Sequence, residues 1–150
     1  MKTIQAKVGD IDSVASLFDL YRQFYHQTAN LSAARGFIFE RLTADDSVIF
    51  LALDDNEVAV GFCQLYPSFS SITMQPLYYL NDLYVIEEKR GQGVARVLMQ
   101  HAEAYARECN ATTLKLATAV ENHGAKCLYL SAGYKEITDF EHYRLDLKSE

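Results

Sequence analysis

The stretch EEKRGQGVARVL, residues 87 to 98, sets Gly91 and Gly93 between an arginine and the first turn of a predicted helix. Glycine within a helix costs about 1 kcal/mol relative to alanine, so two of them at a helix mouth answer a local need. One reading is a tight turn, which glycine supplies wherever the chain must reverse. The other is chemical. A helix N-terminus presents unpaired N–H groups and about half a positive charge, and phosphates bind there readily. Missing side chains at Gly91 and Gly93 would let a phosphate reach those amides, with Arg90 and Arg96 adding charge on either side. The ATP-type loop is excluded because no Gly-Lys-Ser/Thr ending follows; the dinucleotide fingerprint wants a third glycine where position 96 is Arg. The residues favour a phosphate cradle over a plain bend and leave the kind of phosphate open.

Other side chains with chemical capacity are scattered. Asp82 precedes the cradle on the run LYYLNDLYV. A carboxylate there could hold or deprotonate a cationic amine, or simply hydrogen-bond within a strand. Tyr66, Tyr78 and Tyr79 could line an amine pocket by cation–π contact, although adjacent strand residues face opposite ways. Phe69, in the proline-bounded loop PSFSSITMQP (67–76), is a further candidate contact. His26, His101, His123 and His142 have no metal-ligand spacing, and no metal site is expected. Cys63, Cys109 and Cys127 match no disulfide framework and read as buried free thiols.

These residues need elements to position them. A short strand over 2–7 leads to Gly9 and Asp10, with Asp10 as helix N-cap. Val14, Phe18, Tyr21 and Tyr25 then recur at helical spacing. A second helix covers about 32–42, with Leu31, Ala34, Ile38 and Leu42 inward. The apolar runs VIFLAL (48–53) and EVAVGFCQLY (57–66) read as a hairpin about Asp54, Asp55 and Asn56. The run 77–85 is a third strand of this region. The helix after the cradle turns Val94, Leu98, Ala102, Tyr105 and Cys109 inward and Arg96, Gln100, Glu103 and Arg107 outward. TLKLAT (113–118) is another strand. Asn122 caps a short helix with Ala125, Leu128 and Tyr129 on its apolar side, and Gly133 ends it. HYRLDL (142–147) alternates as a last strand. The order βααβββαβαββ makes an α/β protein with a mixed sheet, one domain over residues 1–150.

Two blocks together resemble a known family. Arg90-Gly91-Gln92-Gly93-Val94-Ala95 is similar to the Arg/Gln-x-x-Gly-x-Gly/Ala signature of the GCN5-related N-acetyltransferases (GNAT). ENHGAKCLYLSAGY (121–134) resembles that family's Asn-x-x-Ala-x-x-Leu-Tyr…Gly-Phe/Tyr segment through Asn122, Ala125, Leu128, Tyr129, Gly133 and Tyr134. The resemblance implies a mixed sheet of about six to seven strands with about four helices. It implies acetyl-CoA as cosubstrate, its pyrophosphate on the amides of Gly91, Gln92, Gly93, Val94 and Ala95, with Arg90 and Arg96 nearby. It also implies a bulged strand splayed from its neighbour near Leu83, Tyr84 and Val85, a cofactor contact from Asn122, and Tyr129 as the acid that protonates the departing thiolate. YLNDLYV plus RGQGVA looks like the histone/polyamine and diamine branch. Diamine acetyltransferases commonly carry Glu-Asp where this chain has Asn81-Asp82, so neither their base nor their substrate transfers directly.

The function implied is acetyl transfer to a primary amine, with a small cationic acceptor first, by direct attack in a ternary complex. Acetylation of a protein lysine or N-terminus, and acyl-CoA binding by a non-catalytic regulator, are the alternatives. The net charge of −6 and pI near 5.2 argue against a nucleic-acid partner, suit a cationic substrate, and accompany an N-terminus without a signal-peptide core. Without a run of roughly 18 apolar residues, no membrane partner is expected. The expectation is a soluble cytoplasmic protein, with a homodimer through HYRLDL as one arrangement open to it.

Overall fold

The computed structural model describes residues 1–148, and the chain divides into two compact units, Met1–Ala117 and a second beginning at Thr118. The first unit holds a sheet in the order β1 (Lys2–Gln5), β2 (Val48–Leu53), β3 (Ala59–Ser70), β4 (Gln75–Val85) and β5 (Thr113–Lys115). Pairing is antiparallel from β1 through β4, and parallel between β4 and β5. Helices α1 (Ile11–Phe24), α2 (Leu31–Ala44) and α3 (Val94–Glu108) complete this unit; α4 (His123–Ser131) lies in the second.

Strand register assigns the faces. Along β3, Phe62, Gln64 and Tyr66 share one side, and Gly61, Cys63 and Leu65 the other. Phe62 meets the Phe18 ring of α1 edge-on, with centroids 6.4 Å apart. It joins a buried cluster with Val14, Leu17, Ala34, Ile38, Ile49 and Leu51. On the opposite side a Cβ at Gly61 would come within 3.0 Å of the Tyr84 carbonyl and 3.2 Å of a Val94 methyl. The α1–α2 pair therefore covers one face and α3 the other. This explains why every residue of β2 is buried: a strand covered on both faces reads as an unbroken apolar run.

Several expectations need correction. The segment 67–76 is mostly ladder: Pro67 to Ser70 pair with Tyr78 to Gln75, and only the turn between remains a loop. Proline is tolerated because β2 ends opposite Leu65, so Pro67 has strand on one side only. β5 stops at Lys115, short of residue 118. The last strand, over 142–147, does not form, and the sheet has five strands among the described residues. Alternation gives a segment two faces; a ladder also needs a partner edge. Leu31, expected inward, is 54% exposed, because the helix begins with it. Asp10 does not cap α1 with its side chain; its carboxylate accepts from the Lys7 N–H at 2.9 Å. All three cysteines are free, but only Cys63 is buried. Among the described residues, no helix is long and apolar enough to cross a membrane.

Candidate active site

The site begins with an irregularity. Gln64 pairs with Asp82 while Leu65 pairs with Leu80, so Asn81 is the extra residue of a β-bulge. One extra residue reverses the facing of everything beyond it. Leu80 faces α3 with Leu65; Asp82, which would otherwise follow it there, is turned to the α1–α2 face with Gln64. The bulge lies at Asn81 and not near Leu83, Tyr84 and Val85 as expected, since those three pair regularly with Cys63, Phe62 and Gly61.

Asp82 is 3% exposed. Burial pushes its carboxyl above the usual carboxylate range, against hydrogen bonds from Asn81 and Gln64. Asn81 Nδ2 donates to Oδ1 at 2.9 Å, and Gln64 Nε2 donates to Oδ2. The Ser47 hydroxyl donates to Gln64 Oε1 at 2.9 Å, which fixes the amide with its NH2 toward Asp82. Both carboxylate oxygens thus serve as acceptors, the arrangement that suits an anion. The Tyr21 hydroxyl donates to the Asn81 carbonyl at 3.2 Å. Burial, and then the Asp82 charge, keep Tyr21 protonated far into the alkaline range and push Tyr66 up to about 12.

Asp82 lines a cavity of about 490 Å³ whose walls include Phe18, Tyr21, Phe37 and Tyr66, with Arg22 among the lining residues. Of the candidate pocket residues, only Tyr66 lines it. Tyr78 packs its ring on Tyr105 of α3, at 5.7 Å between centroids, and Phe69 is 78% exposed on the β3–β4 hairpin.

The glycine loop follows the same strand. Gly91 and Gly93 have φ of 74° and 83°, a left-handed conformation that favours glycine. A Cβ at either position would meet no atom within 4 Å. The turn thus needs glycine, and the space in front of it is open; the two initial readings are compatible. Gly93 is the residue before α3, and its carbonyl accepts from the Val97 N–H. Arg90 is turned back into the protein: its Nε donates to the Val85 carbonyl at 2.9 Å, and its guanidinium lies over the Phe24 and Tyr84 rings. Gln92 Nε2 donates to the Glu88 carbonyl at 3.1 Å. Because β5 accompanies β4 only along Leu77–Tyr79, β4 lacks β5 as a partner beside Leu83, Tyr84 and Val85.

In the second unit, Asn122 caps α4, its Oδ1 accepting from the Ala125 N–H at 3.3 Å. Gly133, at φ 94°, closes the helix as the Tyr134 N–H donates to the Tyr129 carbonyl at 3.0 Å and its own N–H donates to Leu130. This Schellman ending leaves the half-buried Tyr129 ring 6.1 Å from that of Tyr134.

Sequence reasoning missed Gln64, Phe37 and the cavity role of Phe18 and Tyr21. Phe18 and Tyr21 have the spacing of an ordinary helix core. Gln64 carried a usable signal: it is a lone polar residue inside VAVGFCQLY, and a buried amide in such a run needs a partner.

The family model described as acetyltransferase (GNAT) family matches residues 12–134. A Bacillus subtilis (strain 168) protein named as an uncharacterized N-acetyltransferase, YhfO, is 41% identical over 150 residues, all of both chains. A probable acetyltransferase of Haemophilus influenzae is 32% identical over 105 residues, 70% of this chain and 72% of its own. A crystal structure of a probable acetyltransferase superposes with a TM-score of 0.93 at 43% identity, over 100% of both chains.

Proposed function

Because the chain belongs to the acetyltransferase (GNAT) family, we propose that it moves the acetyl group of acetyl-CoA onto the primary amine of a small cationic acceptor. Attack is direct, with both substrates bound. The observation that carries this reading is Asp82: a buried carboxylate, held by two amide donors at a bulge, in an aromatic cavity on the strand that leads to the glycine loop.

The residues fit the cosubstrate. The amides of Gly91, Gln92, Gly93, Val94 and Ala95 surround the start of α3, where a pyrophosphate is favoured, and no Cβ fills the space before Gly91 and Gly93. Arg96 adds positive charge. Arg90 contributes by fixing the loop to Val85. The open side of β4 at Leu83, Tyr84 and Val85 offers backbone groups to an amide-bearing arm. Asn122 acts by holding the start of α4.

Acetyl-CoA supplies an activated acyl group. An alkylamine has a pKa of about 10.4, so it arrives as the ammonium and must lose a proton before attack. Asp82 holds the cation and takes that proton, directly or through one water. The nitrogen–carbonyl carbon bond forms, the carbon–sulfur bond breaks, the sulfur receives a proton from the Tyr129 hydroxyl, and the second proton of the attacking nitrogen is released and restores the Tyr129 phenol through solvent. We expect Tyr129→Phe to lower kcat by about 100-fold while leaving acetyl-CoA affinity within about twofold. Free-thiol release and calorimetric titration with acetyl-CoA measure the two quantities. Unchanged kcat would remove Tyr129 from the mechanism.

A further inference from the structure

The cavity beside Asp82 has a charge pattern that narrows the acceptor, given the acetyltransferase reading on which this inference rests. Among its lining residues Asp82 is the one carboxyl and Arg22 the one strong base. The Arg22 guanidinium is tied inside the protein, Nη1 donating to Asp19 at 2.8 Å and to the Thr28 carbonyl at 3.2 Å. Its charge is balanced there by the buried Asp19 carboxylate.

The aromatic wall does not offer a second cation site. Phe37 stacks on Phe18 with centroids 5.3 Å apart and planes 10° from parallel, and the Arg41 guanidinium lies 4.8 Å from the Phe37 ring centre. Arg41, itself paired with Asp46 at 2.8 Å, already occupies that ring, so a substrate ammonium finds the ring engaged and the neighbouring carboxylate taken. Ala33 and Ala34, also lining the cavity, are too small to fill the space beside the rings. A long diamine could seat one ammonium at Asp82 and would leave the other among rings and guanidinium groups whose carboxylate partners are already engaged. An uncompensated charge in such surroundings is strongly disfavoured, whereas a flat apolar body gains both area and ring contacts.

We propose that the cavity selects monoamines, with the single ammonium at Asp82 and an arylalkyl body along Phe18, Phe37 and Tyr66, and that it rejects di- and polyamines. Phe37 and Tyr66 are then specificity-determining residues for the acceptor.

The test uses the full chain with acetyl-CoA and follows thiol release with 2-phenylethylamine, n-butylamine, putrescine and spermidine. We expect kcat/KM for 2-phenylethylamine to exceed that for either polycation by at least about tenfold, the equivalent of one ring contact. Phe37→Ala raises KM for 2-phenylethylamine about tenfold and changes n-butylamine less than about twofold. Phe37→Leu, which keeps bulk without the ring, gives a smaller loss in the same direction. Calorimetric titration of each variant with acetyl-CoA verifies folding and separates the two claims. If acetyl-CoA binds and putrescine or spermidine matches or outperforms 2-phenylethylamine, the acceptor proposal fails alone. It also fails if Phe37→Ala affects all amines equally, or if no monoamine is turned over. If acetyl-CoA does not bind, the acetyltransferase reading fails and this proposal with it.

Discussion

Asp82 is useful for the reason that makes it costly: it is an acid taken out of water. Burial raises its pKa in the folded chain, so the folded state holds this proton more tightly than the unfolded one. Its contribution to stability is therefore full below the unfolded carboxyl pKa of about 3.9 and declines as pH rises through the raised folded value. Chemical denaturation across that window should show wild type losing stability relative to Asp82→Asn as pH increases. The rate should respond oppositely. In the proposed mechanism turnover needs the ionised carboxylate, so kcat/KM should rise through the same pKa, and Asp82→Asn should lack that limb. Gln64→Leu removes the Nε2 donor to Oδ2, so its acidic limb should lie at higher pH than that of wild type. Identical pH–rate profiles for wild type and Gln64→Leu would detach Gln64 from the site.

Among the elements, β4 carries most of the arrangement. One inserted residue, Asn81, turns Asp82 to the cavity; β5 leaves the strand after Tyr79; its far end delivers the glycine loop. Gly93 makes the left-handed turn and, in the proposed mechanism, leaves room for the pyrophosphate, and one substitution can separate the two. Asparagine tolerates the left-handed conformation better than other side chains, yet it places atoms in the open space before α3. Gly93→Asn should cost at most about 1 kcal/mol of stability and weaken acetyl-CoA binding about tenfold or more, read by melting and titration. Unweakened binding would leave the turn as the only reason for glycine there. Gly61 differs, because its neighbours are close. A methyl would press on the Tyr84 carbonyl at 3.0 Å and on Val94, so Gly61→Ala should destabilise the protein by about 1–3 kcal/mol.

The thiols bear on the kinetics of the whole molecule. An acetyl-enzyme route needs an activated nucleophile. Cys63 is fully buried, and burial pushes its thiol up to about 12, leaving it protonated near neutrality. Cys127 is exposed, so kinetics decide: direct attack gives intersecting double-reciprocal lines when both substrates are varied, and parallel lines would indicate a covalent acetyl-enzyme and overturn it. The molecule's net charge of −6 should also draw a cationic acceptor by long-range attraction. That attraction is screened over about 10 Å at 0.1 M salt, so kcat/KM for an amine cation should fall as ionic strength rises.

The order of elements through α4, the family, the glycine loop and the Asn122 cap were legible in the chain because each rests on local information: period, turn chemistry and a few spaced residues. The same locality misled at 142–147, where alternation supplied faces without a partner edge, and at 67–76, where two prolines suggested a loop though the ladder had an open side to receive them. The cavity could not be read this way. Phe18, Phe37, Gln64, Tyr66 and Asp82 come from two helices and two strands, and the bulge that turns Asp82 toward the others is a mismatch of register between β3 and β4. Register is a property of paired strands, so only the tertiary structure decided which side of the sheet receives the carboxylate.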